Sequence, residues 1–463
     1  MWLFPGQRFR YSRLSGSSSL VSRAAVSPVF SVLLVFFVLY LLSGLIVQHS
    51  SQRDPTSWFF NPEKAYDPIY STVRQRQADN FIDNISNNKQ QPLVKFKPTT
   101  GDDTLCVGIV TFARNDVRYF RSTIGSLLQG LDPEERRRLF LIVFLAHTDP
   151  TVHPAFSETW LHEAADQVLT YNISGADFDR ISSLEREGGL FREKALLDYT
   201  YLLKACSKVE APYMAIFEDD IIAMDGWFHR TEDAIAQAET QTVENHHTSD
   251  CKIFWQPTIG HVLTLILLVL YLRLFYTEKF LGWNSEEWPK YLGRSLFAFA
   301  FLASTLFVVK LYSPKMRSYL TNSVVAVLCC ICLPMVIFLI FAAGKITMAP
   351  LPSGVHEMNN FGCCSQGLVY SYSTAQNLIN WYEQKKVGFV DMLTEEYGDV
   401  FGSVRWALTP SVIQHIGRKS SKEDDYGPNS KHGRSVAETI WNFGFELNDA
   451  TTLRKEHDKI SHK

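Results

Sequence analysis

Long apolar segments restrict every architecture open to the remainder of this chain. Residues Ala24–Gln52 contain no Asp, Glu, Lys or Arg, and the apolar heart from Val29 to Val47 matches the length of about 20 residues that a bilayer-spanning helix needs. Arg8, Arg10, Arg13 and Arg23 precede it. A cleaved signal has a shorter apolar region and a small-residue cleavage site, for which Leu42-Ser43-Gly44 is poor, so the segment reads as an uncleaved anchor. Its basic flank stays in the cytosol, which makes the chain beyond it lumenal. Three more apolar segments follow: Ile253–Leu272, Ser295–Val309 and Ser318–Gly344. For the chain on either side of them to build one domain, the crossings between must be even in number, so one of the three is not a span. Lys310, Lys315 and Arg317 form a basic connection between the last two, as expected of a helical hairpin with a cytosolic loop, and Arg294 and Lys310 can snorkel to lengthen its first arm. Leu270-Tyr-Leu-Arg-Leu-Phe275 alternates like a strand with one exposed face, which assigns Ile253–Phe275 to the lumenal side.

The soluble remainder alternates between strand-like and helix-like segments. With 463 residues, 46% hydrophobic and 20% charged, the chain can bury a large core, and a net charge of -3 carries no nucleic-acid signature. Apolar runs at Leu105–Phe112, Leu139–Leu145, Gln167–Tyr171 and Tyr213–Phe217 read as strands, with helices over Tyr119–Leu128 and Arg192–Cys206. This order predicts an α/β fold around a mostly parallel sheet. A Gln-, Asn- and Pro-containing spacer, Arg53–Pro98, with a short helix at Tyr70–Asn84, leads into it. Asn84-Ile-Ser86 and Asn172-Ile-Ser174 are glycosylation sequons on the lumenal reading.

The strand Tyr213–Phe217 ends in Glu218-Asp219-Asp220. Alternation along a strand puts Glu218 and Asp220 on one face and Asp219 on the other, so two carboxylates can share one ligand. Hard oxygen donors suit Mg²⁺ or Mn²⁺, and open α/β sheets bind ligands at the carboxyl ends of their strands. The ordinary alternative is an acidic turn at a strand end, with Asp220 capping the next element.

Arg192-x-Lys194-x-x-Leu197-Asp198-Tyr199, then Tyr213 through Glu218-Asp219-Asp220-Ile221, and later Thr409-Pro410-Ser411-Val-Ile-Gln414-His415-Ile-Gly417 with Ser420-Ser421, resemble in order the core of nucleotide-sugar-dependent GT-A glycosyltransferases, including the N-acetylglucosaminyltransferase IV branching enzymes. With Tyr271–Tyr276, the Ser295–Gly344 hairpin and Phe361-Gly-Cys363-Cys364-Ser365-Gln366-Gly367, the chain is similar to the Golgi post-GPI-attachment N-acetylgalactosaminyltransferase family. The resemblance implies a GT-A-type glycosyltransferase domain with an N-terminal signal anchor and an inserted transmembrane helical hairpin. In those terms residues 1–27 are a cytosolic tail, 28–48 the anchor, 49–99 a lumenal stem, 293–344 the hairpin, and 100–292 and 345–463 the two parts of the catalytic domain with its tail. It also implies inverting transfer of N-acetylgalactosamine from UDP-GalNAc to a mannose of the GPI glycan at the Golgi membrane, with GPI-anchored proteins as acceptors. A hairpin within the domain would hold the cleft at the height of a lipid-anchored acceptor. The alternatives are an N-acetylglucosaminyltransferase acting on N-glycans and a non-enzymatic membrane scaffold, the latter leaving the acids without purpose.

In such a reaction a bound cation and basic side chains offset the charge on the departing diphosphate. Asp220 is the first metal ligand, Glu218 shares the ion or meets the ribose, and His415 is a further ligand or a diphosphate contact, against the plainer reading of a histidine satisfied within the fold. Arg192, Lys194 and, more weakly, Arg114 are diphosphate candidates, and Thr111 lies where the base or ribose would rest. The general base that inversion requires is assigned to Asp391, with Glu357 and Glu395 behind it, although an Asp at a helix start is more often an N-cap. The 8 cysteines show no spacing of a zinc site, which argues against structural zinc. Cys363 and Cys364 are expected to pair with Cys106, Cys206 or Cys251, and Cys329, Cys330 and Cys332 to pack within the hairpin. Trp381, Tyr382, Trp406 and Trp441 are expected in the core.

Overall fold

The computed structural model describes residues 28–87, 93–97, 104–114, 118–186, 191–249, 269–281, 283–358, 364–417 and 439–461. The readings made for Cys251, the apolar run over residues 253–268, Phe361–Cys363, Ser420-Ser421 and most of the C-terminal tail lie outside them. The chain divides into two compact units, one of residues up to Ala65 together with Leu281–Pro350, the other of Tyr66–Phe280 together with Leu351 onward.

The larger unit is built on an eight-stranded sheet. Its strands are β1 (Leu105–Thr111), β2 (Leu139–Leu145), β3 (Gln167–Leu169), β4 (Tyr213–Phe217), β6 (Val269–Arg273), β7 (Gly354–Glu357), β8 (Gly367–Ser371) and β9 (Val404–Thr409), in the order β3-β2-β1-β4-β8-β6-β9-β7. Two further strands, β5 (Ile221–Ala223) and β10 (Ile413–His415), pair antiparallel with each other. The period of two is visible in the packing. Leu105, Val107 and Ile109 of β1, with Ala215 and Phe217 of β4, face one hydrophobic layer, while Cys106, Met214 and Ile216 face the other. Helices α1 (Tyr70–Ser86), α2 (Tyr119–Leu128) and α4 (Trp227–Ser249) cover the first face. Helices α3 (Phe191–Ser207), α5 (Tyr372–Lys385) and α6 (Val390–Phe401) cover the second. The last helix is α7 (Ala450–Ser461). Each core side chain so buried contributes about 1.5–3 kcal/mol.

The sheet is parallel-rich, as expected: β1–β2, β1–β4, β2–β3 and β6–β9 pair parallel, while β8 runs antiparallel to both β4 and β6, and β7 antiparallel to β9. Three expectations need correction. The segment read as a strand with one exposed face is the central strand β6, buried on both sides from Leu270 to Phe275. Arg273 tolerates this because its guanidinium reaches the Tyr271 hydroxyl at 3.0 Å and the Glu395 carboxylate at 3.4 Å. The spacer helix belongs to the folded unit, for Tyr70, Ile82 and Ile85 enter the core and Gly125 of α2 approaches so closely that a Cβ would lie 2.5 Å from the Ala78 carbonyl oxygen. Lastly, Cys106 on β1 pairs with Cys206 on α3, so neither is left for Cys363 or Cys364; Cys364 is disulfide-bonded as well. Closing a loop with a sequence separation of 100 constrains the unfolded chain by about 4–5 kcal/mol.

Among the described residues, the smaller unit contains three helices long and apolar enough to cross a membrane: Pro28–Ser50, Ser285–Tyr312 and Asn322–Ala343. Trp58 packs edge-on against Phe338, and the Ser57 hydroxyl and Trp58 amide both donate to the Ala342 carbonyl at 2.9 and 3.0 Å. Cys329 and Cys332 are packed inside this unit, and Cys330 is exposed.

Candidate metal and nucleotide site

The chain leaves β1 toward β2 on one side and returns to β4 on the other, so the carboxyl ends of β1 and β4 flank a crevice of the kind where open α/β sheets bind ligands. Arg114 follows β1 and the three acids follow β4 in a turn before β5. The β5–β10 pairing places His415 opposite Ile221, beside the acids. Arg74, fully buried on α1, supports this corner by donating to the carbonyls of Ala223 at 3.0 Å and Ser126 at 2.9 Å.

Glu218, Asp220 and His415 each present a ligand atom, and these atoms lie within 4.8 Å of one another. His415 Nε2 is 3.4 Å from Asp220 Oδ2. The Ser365 hydroxyl and Gln366 amide hold Glu218 from the β8 side at 2.7 and 3.3 Å. Asp219 stands outside that set, as expected, but is tied to the same corner: Arg114 forks between it and Asp220, donating to Asp220 Oδ2 at 3.0 Å, while Thr111 donates to Asp219 Oδ2 at 2.8 Å. Thr123 on α2 donates to the Asp219 and Ile221 carbonyls.

The charge state follows from this crowding. Burial and then Asp220 push Glu218 up to about 7, and burial pushes Asp219 up to about 6 against the pull of Arg114. Burial would also raise Asp220, but His415 and Arg114 outweigh it and hold that carboxyl well below the usual range. Burial would lower His415, and Asp220 with Glu218 reverse the direction and raise it. Fully ionised, the three carboxylates would outnumber the two cations, Arg114 and a protonated His415, and the raised values of Glu218 and Asp219 reflect that crowding.

A divalent cation fits here on two observations. Asp220 Oδ1 is buried with no hydrogen-bond partner, and a buried oxygen of this kind calls for a partner such as an ion. Gly417 closes the corner, and a Cβ there would stand 2.3 Å from Asp220 Oδ2 and 2.9 Å from His415 Nε2. Next to the acids, Phe112, Ala113, Arg114, Tyr119, His153 and Asp219 line part of an open cleft.

The remaining candidates are distributed unevenly. Thr111 is fully buried, its hydroxyl donating to Asp219 and standing 3.1 Å from His153 Nε2, so it supports the acids. Lys194 is drawn into a network with Asp198 at 2.8 Å, the Ala146 carbonyl at 2.8 Å and Glu185 at 3.6 Å. Arg192 is exposed, with its guanidinium 4.5 Å from the centre of the Phe389 ring. Asp391 lies inside the first turn of α6, one residue beyond Val390, and Phe389 occupies the N-cap position expected of it. Its carboxylate accepts from the Met392 amide at 2.8 Å and the Cys364 amide at 3.4 Å, and its charge is among those raising Glu218. Glu395 is engaged elsewhere, by Arg405 at 2.6 Å and the Tyr271 hydroxyl at 2.6 Å. Glu357 is exposed on edge strand β7, four strands from β4, a span of roughly 19 Å. Asp219, Thr123, Ser365 and Gln366 were given no role in the sequence; Asp219 carried a signal there as the neighbour of two named acids, and Ser365 and Gln366 as part of the Phe361–Gly367 motif, whereas Thr123 carried none.

The chain is 24% identical over 219 residues to an alpha-1,3-mannosyl-glycoprotein 4-beta-N-acetylglucosaminyltransferase B of Mus musculus, covering 43% of this chain and 38% of that protein. It is 25% identical over 217 residues to the A form of Xenopus tropicalis, covering 43% and 39%, and 25% identical over 204 residues to that of Gallus gallus, covering 40% and 37%. The chain thus spans about two fifths of the length of the curated relatives it matches. A family match runs over residues 105–414, from the first residue of β1 to the residue before His415, which is more than half of the chain. On that extent, the chain belongs to the GPI-N-acetylgalactosamine transferase PGAP4 family.

Proposed function

We propose that the chain is a metal-dependent, inverting hexosaminyltransferase of GT-A type that moves N-acetylgalactosamine from UDP-GalNAc to a mannose of the GPI glycan on GPI-anchored proteins. The observation that carries this reading is the convergence of Glu218, Asp220 and His415 at the carboxyl end of β4. Two observations support a Golgi membrane location with the catalytic unit in the lumen. The Cys106–Cys206 bond suits an oxidising compartment. Strands β4 and β8 are hydrogen-bonded neighbours although, among the described residues, two candidate spans lie between them in the chain, which supports an even number of crossings and hence an inserted hairpin.

When bound by Glu218, Asp220 and His415, a Mn²⁺ or Mg²⁺ ion would offset the charge on the departing diphosphate, and the imidazole among its ligands favours Mn²⁺. The chain's own residues do the rest. Arg114 holds Asp219 and Asp220 ionised and aimed, with Thr111 and Thr123 fixing the turn. Phe112 and Tyr119 in the adjoining cleft offer apolar walls for a uracil ring. Arg192, exposed at the start of α3, reaches toward the diphosphate. Asp391, oriented by the amides of Cys364 and Met392, takes the proton of the acceptor hydroxyl as it attacks from the face opposite the leaving group.

A second reading, transfer of N-acetylglucosamine to a protein-linked N-glycan, draws on the printed activity of the relatives. Purified full-length chain in detergent, given UDP-GalNAc or UDP-GlcNAc with Mn²⁺ and either a GPI-type mannoside or an N-glycan acceptor, separates the two. The proposal requires product from UDP-GalNAc and the GPI mannoside. Product confined to UDP-GlcNAc and the N-glycan installs the second reading, and no product from any pair removes both.

A further inference from the structure

We propose that Glu135, His229 and His457 form a second, structural site for a zinc-class divalent ion that fastens the C-terminal helix to the body of the larger unit. This site is separate from the reaction assigned above. Glu135 comes from the short helix Pro133–Arg138, His229 from α4 and His457 from α7, and all three are buried, with ligand atoms within 4.8 Å of one another. His457 Nε2 is 2.9 Å from Glu135 Oε2, and His229 Nδ1 is 3.5 Å from Glu135 Oε1, so the carboxylate turns one oxygen toward each imidazole. Donors around a tetrahedral zinc stand about 3.4 Å apart, so the group needs only small adjustments to close on an ion. The other nitrogen of His457, Nδ1, meets Asp225 Oδ1 at 2.8 Å, and Arg454 balances Asp225 at 3.3 Å. A carboxylate behind a ligating histidine is the usual means of fixing its tautomer.

A proton held between Glu135 and Asp225 would account for His457 without any metal. It would not account for His229. That ring is over nine-tenths buried, and among the described residues neither of its nitrogens makes a hydrogen bond of good geometry, the Glu135 Oε1 contact at 3.5 Å included. A buried imidazole without partners is costly unless something absent from the protein supplies one. The site is also built to hold the ring. Gly226 sits at φ +76° and a Cβ there would come within 2.4 Å of His229 Cε1, so only glycine leaves the imidazole its place. Two imidazoles and one carboxylate form a zinc-type set rather than a magnesium or calcium one. Sequence spacing could not reveal it, since Glu135 and His457 are 322 residues apart.

The test uses the full-length protein in detergent. Metal content is measured after exhaustive dialysis into metal-free buffer, and melting is followed after chelation with and without added Zn²⁺ or Mn²⁺. The proposal expects one zinc per chain in the wild type and in Asp220→Asn, which alters the other site, and none in His229→Gln. It expects Zn²⁺ to raise the melting temperature of stripped wild type by on the order of 5–10 °C, and Mn²⁺ at equal concentration to do markedly less. Wild-type protein that keeps no zinc and does not respond to it overturns the site, whatever the variants do. So does His229→Gln protein that retains zinc, or Asp220→Asn protein that loses it.

Discussion

Replacing Gly417 by alanine adds one methyl group at the most constrained point of the acidic corner while leaving every proposed ligand in place. The new Cβ would lie 2.3 Å from Asp220 Oδ2, 3.0 Å from its Cγ and 2.9 Å from His415 Nε2. Ordinary contact begins near 3.4 Å, so the Asp220 carboxylate has to retreat by about 1 Å, against a tolerance of about 0.2 Å in metal–ligand distances. The general cost of such overpacking is about 1–3 kcal/mol of stability. A ligand displaced on this scale typically costs about 10²-fold in rate, with metal affinity weakened by about 10- to 100-fold. The assay is UDP release from UDP-GalNAc titrated with Mn²⁺, alongside a melting curve. Gly44→Ala, in the helix Pro28–Ser50 where a Cβ meets nothing within 4 Å, serves as the control and should match wild type. Gly417→Ala protein that remains folded but needs much more Mn²⁺ supports the geometry. A folded variant with wild-type Mn²⁺ half-saturation and rate would show that Asp220 Oδ2 and His415 Nε2 do not hold the ion.

Removing the Arg114 guanidinium leaves Asp219 and Asp220 buried without their shared cation; Arg114→Ala should lose about 3–5 kcal/mol in metal-free buffer and recover part of it with saturating Mn²⁺, as read by denaturant unfolding. Asp391→Asn should lower kcat by about 10²–10⁴ with little change in the KM for UDP-GalNAc, because the residue acts on the acceptor hydroxyl; an unchanged kcat would return the base to be sought elsewhere. Burial, followed by the charges of His147 and Arg118, lowers His153 to about 4. The unfolded chain therefore takes up the proton first as pH falls, so this contribution is intact above about pH 6.5 and declines by at most about 3 kcal/mol on the way to pH 4. Unfolding curves across that window should show the decline in wild type and a flatter profile in His153→Gln.

The parts of the fold that could be read from the sequence are those set by unbroken local patterns. Strands β2 and β4 and helix α2 fall at the expected residues because each is a continuous apolar or amphipathic run. Pairing between distant segments left no such trace. Nothing local indicates that β8 inserts antiparallel between β4 and β6, or that β6 is buried on both faces, since that burial rests on Arg273 finding Tyr271 and Glu395. The site divides in the same way. Glu218 and Asp220 were legible from their spacing, and His415 from its motif, but only the β5–β10 pairing explains why the histidine arrives beside them. Lys194 illustrates the limit of reading charges singly. Its partner Asp198 stands one helical turn along the same face, at i+4, and the pair satisfies itself before any ligand is present. Glu395 is diverted in the same way by Arg405, ten residues on, across an α6–β9 contact that the sequence does not show.

The central claim is that Glu218, Asp220 and His415 together hold the cation on which transfer depends. Its most direct test is sugar transfer by the chelator-stripped full-length protein as Mn²⁺ is returned, in wild type and in Asp220→Asn. The account predicts no transfer without metal, saturable recovery in wild type, and recovery in the variant reduced by at least about 10²-fold at any Mn²⁺ concentration. Full transfer by the stripped wild type, or equal recovery by Asp220→Asn, would contradict it.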